Sequence, residues 1–115
     1  MIKYGYFVVR GMKNRFAVIA IECPPKNSNN CYKVSFAFCS SNDKFTKMKG
    51  REIASGRLNS KSCLLISNTN LSVSEVIEQS IKRCVNTGFT PSWFSRAYNS
   101  NRLIWGLNQN KVHIN

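Results

Sequence analysis

Apolar and polar residues alternate most cleanly over residues 31–39, where Tyr32, Val34, Phe36 and Phe38 fall between Cys31, Lys33, Ser35, Ala37 and Cys39. Successive side chains of a strand point to opposite faces, so a period of two predicts a β-strand with one large apolar face and one small or polar face. Two further β-rich runs precede it, residues 4–10 and 15–23, separated by Gly11-Met12-Lys13-Asn14. Glycine and asparagine both accept positive φ, and the pair reads as a β-hairpin. The tandem Pro24-Pro25 cannot continue a hydrogen-bonded ladder and opens a loop through Asn30.

The pattern changes to helical spacing in residues 72–85, where Val73, Ile77, Ile81, Cys84 and Val85 recur at four and three and make one apolar stripe. Ser72 and Glu75 fit a capping box at its start, and Gly88 supplies a left-handed stop. Thr90-Pro91 restarts a short helix, with Pro91 at the first helical position and Trp93, Phe94, Ala97 and Tyr98 within it. An earlier helix is expected after the N-cap residues Ser40-Ser41-Asn42-Asp43, ending near Leu58. Its apolar residues Phe45, Met48, Ile53, Ala54 and Leu58 do not form one stripe, and Gly50 and Gly56 weaken it.

Residues 62–66, 102–107 and 111–114 read as short extended segments. The resulting order, β-β-β-α-β-α-α-β, predicts an α+β fold: a mainly antiparallel sheet with two to three helices packed on one face. The face of Tyr32, Val34, Phe36 and Phe38 is expected to pack beneath Val73, Ile77, Ile81 and Val85, the two best-patterned apolar surfaces in the chain.

A length of 115 residues suits a single domain with one core of useful size. The charge is far from ordinary: 17 basic against 5 acidic side chains, a formal net charge of +12. Such imbalance bears on partners rather than on fold, with nucleic acid foremost and an anionic membrane or an acidic protein behind it. No apolar run approaches the roughly 20 residues that span a bilayer, and the first residues are too strand-like for a signal peptide, so a cytoplasmic protein without membrane association is expected. Five cysteines with no C-x-x-C pair, and a single histidine at His113, read as buried reduced thiols rather than a disulfide framework; no metal or other cofactor is expected.

Charge is densest in residues 43–61, D-K-F-T-K-M-K-G-R-E-I-A-S-G-R-L-N-S-K, where Lys44, Lys47, Lys49, Arg51, Arg57 and Lys61 stand against Asp43 and Glu52. Cations displace counterions from a polyanion and glycine lets its backbone approach, so these six residues are the candidate nucleic-acid contacts. In a helix, Lys44, Lys47 and Arg51 would line one side. A charge run also serves simply to solvate a helix face. A Walker loop is excluded, since Arg57 and Leu58 follow Gly56 where lysine and a hydroxyl residue are required.

Trp93 and Tyr98, beside Arg96 and Arg102, are candidate stacking or partner contacts. Enzymatic readings are weaker. Glu22 with Asp43, or Asp43 with Glu52, could hold Mg²⁺ in a nuclease, but nothing in their spacing fixes a geometry, and no catalytic residue is assigned.

The stretch F-A-F-C-S-S-N-D-K-F-T-K-M-K-G-R-E-I-A-S-G-R-L, residues 36–58 and about a fifth of the chain, resembles a segment of small uncharacterised bacteriophage and prophage proteins. There a strand ending in F-C-S leads to an acidic residue, an aromatic and K-x-x-G-R-x-I-A-x-G-R. The resemblance implies a phage origin and expression in a bacterial cell, without supplying a mechanism. The leading expectation is a non-enzymatic phage protein that binds DNA or RNA mainly through phosphates. The alternative is a host-takeover or anti-defence modulator that binds a host protein or ribonucleoprotein, and a Mg²⁺-dependent nuclease stands third.

Overall fold

A computed structural model describes residues 2–24, 31–39, 47–60, 63–67, 71–88 and 90–106, excluding the side chains of residues 12–14, 39, 47 and 106. Eight elements follow in chain order: β1 (Ile2–Val9), β2 (Met12–Glu22), β3 (Tyr32–Cys39), α1 (Lys47–Arg57), β4 (Leu64–Ile66), α2 (Val73–Thr87), α3 (Ser92–Asn99) and β5 (Leu103–Gly106). The strands form one five-stranded sheet in the order β4-β3-β2-β1-β5, and every neighbouring pair is antiparallel. The α+β architecture and the element order are those expected from the pattern. The extended segment expected at 111–114 lies outside the described residues.

The β1–β2 turn is tighter than the four-residue turn suggested by the sequence. Val9 pairs with Met12, leaving Arg10 and Gly11 at the tip, and the register shifts between Val8 and Val9. Gly11 has φ +83°, a backbone state that glycine adopts without a Cβ penalty.

The period of two sorts the strands into two buried faces. Pairs such as Phe7↔Ala17, Ala17↔Phe38 and Ile19↔Phe36 place one set of side chains together, and α2 and α3 pack on it. Val34, Phe36, Ile77 and Ile81 are buried in this cluster, with Tyr32, Phe38, Val73 and Val85 against it, as the two patterned surfaces require. Phe94 makes edge contacts with Phe7 at 5.8 Å and with Phe38 at 5.1 Å, an arrangement favoured by the ring quadrupoles.

Helix caps account for the positions of α2 and α3. Both reciprocal bonds of the Ser72–Glu75 capping box are present, and Gly88 closes α2 with φ +77°. Pro91 stands at the N-cap of α3, one residue before the first helical position. Either place suits proline, because its missing N–H would have no intrahelical partner there.

Two helices therefore share one face, and α1 covers the other. Tyr6, Phe16, Val18, Ala20 and Ala37 form that second face and meet Ala54 of α1 and Leu58 just beyond its end. Alanines at positions 20, 37 and 54 let the helix come close, and the Ser35 hydroxyl donates to the Ala54 carbonyl across the contact.

The thiols differ from the expectation of uniform burial. Cys84 is buried, and burial pushes its thiol above the usual 9.0, but Cys23 and Cys63 are half-buried and Cys31 is exposed. Cys31 precedes the first paired residue of β3, outside the part of the strand that the sheet covers.

Candidate nucleic-acid interface

The basic block divides once α1 is docked. Lys44 and Lys61 lie outside the described residues, Lys47 opens α1, and Lys49 is exposed on it. Arg51 is half-buried and Arg57 is exposed, and both of these candidate contacts also engage the sheet. The spacing of three and four that includes Arg51 continues to Ala54 and Leu58, both buried, so Arg51 lies on the side of α1 that meets the sheet.

Arg51 reaches the buried Tyr6 phenol. Burial raises the phenol's pKa above its usual 10.0, while the nearby Arg51 guanidinium opposes that shift by its charge. Arg57 donates from Nη1 to the Phe36 carbonyl at 2.7 Å, which ties the end of α1 to β3.

The aromatic candidates also separate. Trp93 is 9% exposed and wedged against Phe38 at 6.3 Å and Phe94 at 5.8 Å, so its ring belongs to the core and offers no stacking platform. Its place in Ser92-Trp93-Phe94-Ser95 does not show in sequence which way the ring points. Tyr98 is half-buried, and Arg96 and Arg102 are exposed.

Arg102 acquires neighbours that the sequence did not single out, while the Arg96 guanidinium donates to the Ser92 hydroxyl at 3.5 Å. The Arg102 N–H donates to the Ala97 carbonyl at 2.9 Å, and the Arg10 N–H donates to the Arg102 carbonyl at 2.9 Å. These bonds join the end of α3 to the tip of the β1–β2 hairpin. From the same hairpin, the Arg15 guanidinium sits over the Trp93 ring, 5.9 Å from its centroid, and Arg96 lies one turn further along that helix. The backbones of Arg10 and Arg102 thus meet beside the hairpin tip, Arg15 and the exposed Arg96 flank them on the hairpin and on α3, and neither segment 10–15 nor segment 96–102 contains an acidic residue. The run R-G-M-K-N-R at 10–15 was the available signal, but nothing in it shows that α3 returns to the same place.

The acids of the Mg²⁺ reading are placed only in part. Glu22 forms an ion pair with Lys33 at 3.8 Å on the sheet, Glu52 is exposed on α1, and Asp43 lies outside the described residues. Among the described residues, no three His, Cys, Asp or Glu side chains gather as a metal site, and no helix is long and apolar enough to cross a membrane. No family model matches this chain, and no curated protein or solved structure does either.

Proposed function

We propose that this chain is a non-enzymatic nucleic-acid-binding protein whose main phosphate contacts are Arg10, Arg15, Arg96 and Arg102. The observation that carries the reading is the convergence of these four arginines, from separated parts of the chain, at one end of the sheet in a molecule of net charge +12. Guanidinium groups present forked donors that match phosphate oxygens, and clustered cations release counterions on binding. Lys49, with Lys44, Lys47 and Lys61, supplies a second, weaker contact area. Arg51 and Arg57 contribute through the fold that holds it. The proposed setting is the cytoplasm of a phage-infected bacterium.

The test is binding of a fluorescent oligonucleotide at low salt. Replacing Arg10 and Arg102 together by serine is expected to weaken binding at least tenfold, the effect of losing about two phosphate contacts. Wild-type binding in the double variant, or no binding by the wild type, refutes the assignment.

A second reading, a modulator of a host protein or ribonucleoprotein, draws on the sheet edges. Leu65 on β4 is 53% exposed and Ile104 on β5 is 44% exposed, and edge strands that carry apolar side chains can receive a partner. Capture of one host protein, abolished by Leu65→Lys or Ile104→Lys and indifferent to nuclease treatment, would favour it.

A further inference from the structure

Beside the arginine end lies an open groove of about 660 Å³ between α2, the end of α3 and β5, within the range of about 300–1,000 Å³ typical of small-ligand sites. Its aromatic walls are Tyr98 and Trp105, both half-buried. Trp105 is held from behind by Phe7, with ring centroids 6.4 Å apart, so its position is fixed by the core. The exposed rim carries the amides of Gln79 and Asn101 and the opposite charges of Glu78 and Lys82.

We infer that this groove takes one unpaired nucleobase, so that the nucleic acid bound by the arginine end is single-stranded. The inference rests on the nucleic-acid reading above and adds the kind of strand.

Three features fit that occupant. Aromatic side chains offer π faces on which any base can stack. The amides of Gln79 and Asn101 supply both donors and acceptors, as base edges do. On a strongly cationic protein, the groove balances one carboxylate against one ammonium, Glu78 against Lys82. A phosphate site would not include a carboxylate, whereas Glu78 can accept from the exocyclic amine or ring N–H of a base.

Placement adds a fourth. Asn101, with φ +58°, directly precedes Arg102, so one tight turn carries both a groove residue and a proposed phosphate contact. Asparagine tolerates this left-handed state better than most residues. A strand whose phosphates lie on the arginines can therefore set a neighbouring base into the groove.

The experiment measures affinity of the full chain for three ten-unit ligands: a single strand, the same sequence as a duplex, and an abasic phosphodiester strand. The single strand is expected to bind about tenfold more tightly than the abasic strand, the size of one stacked base. It is also expected to bind more tightly than the duplex. Tyr98→Ala should remove the advantage over the abasic strand, and Gln79→Ala, at an exposed position, should reduce it several-fold without disturbing the fold. In a Trp93→Phe background Trp105 is the remaining tryptophan, and its fluorescence should be quenched by the single strand alone. Equal affinity for the single and abasic strands overturns the groove assignment and leaves the nucleic-acid reading standing. Failure of all three ligands to bind at low salt overturns both.

Discussion

The two faces of the sheet are finished by different means. Against α2 and α3, the sheet presents Phe7, Phe36 and Phe38, which interlock with Trp93 and Phe94. Against α1, it presents Tyr6, Phe16 and Val18 together with Ala20 and Ala37 beneath Ala54, and polar links finish the contact: Ser35 to Ala54, Arg57 to Phe36 and Arg51 toward Tyr6. One face is held by interlocked rings, and the other adds close approach and donors to its buried side chains. The same residue type consequently means different things in the two regions. Arginine on α1 bonds back to the sheet, whereas the side chains of Arg10 at the hairpin tip and Arg102 beyond α3 are exposed.

This contrast breaks first on the aromatic face. Phe36 is 6% exposed and lies among Phe7, Phe38 and Phe94. Phe36→Ala should cost about 3–5 kcal/mol in urea unfolding, a large part of the ~5–15 kcal/mol available to a small domain. A midpoint like that of the wild type would mean that this face is not the main core. On the α1 face the damaging change has the opposite sense. Ala54 is fully buried where the helix meets the sheet, so Ala54→Leu should overpack the contact and cost about 1–3 kcal/mol by the same measurement. A neutral or stabilising result would show that the α1 face has room to spare.

The smaller effect is electrostatic. Because the Tyr6 pKa is raised in the folded state, the folded protein holds that proton more tightly than the unfolded chain. The contribution is fully present below the unfolded value near 10.0 and is lost as pH rises through the folded value. Tyr6→Phe should therefore flatten the alkaline fall in stability measured above about pH 10 while leaving the profile near neutrality unchanged in shape. An identical alkaline slope in the two proteins would place the phenol outside the buried face.

The more legible face was the one with alternation and caps. The period of two in β3 and the Ser72–Glu75 box with Gly88 each have one local cause, and both appear where they were expected. The α1 face was harder to read, although β2 carried its sign. Phe16, Ala17, Val18, Ile19, Ala20 and Ile21 are all buried, a continuous apolar run of the kind that a strand shows when both of its faces are covered. Reading helices onto one face overlooked that run.

The candidate interface was legible by halves. Arg96 and Arg102 stand out beside aromatic residues in the sequence, but their link to Arg10 and Arg15 exists because β5 pairs with β1 and brings the end of α3 to the hairpin tip. That juxtaposition follows from topology and leaves no local trace. Conversely, the dense block at 43–61 overstated its free charge, because docking of α1 uses Arg51 and Arg57.

The claim that the arginine end, more than the dense block, carries the phosphates is tested most directly by the salt dependence of oligonucleotide affinity. Each phosphate contact contributes roughly 0.7 to the slope of log K against log salt for a single strand and roughly 0.9 for a duplex. Arg10→Ser with Arg102→Ser should therefore reduce the magnitude of the wild-type slope by about 1.4 to 1.8. Exposed cations contribute little to stability, so the unfolding midpoint should barely move. A slope equal to that of the wild type in a folded double variant would contradict the account and return the phosphate contacts to the α1 block.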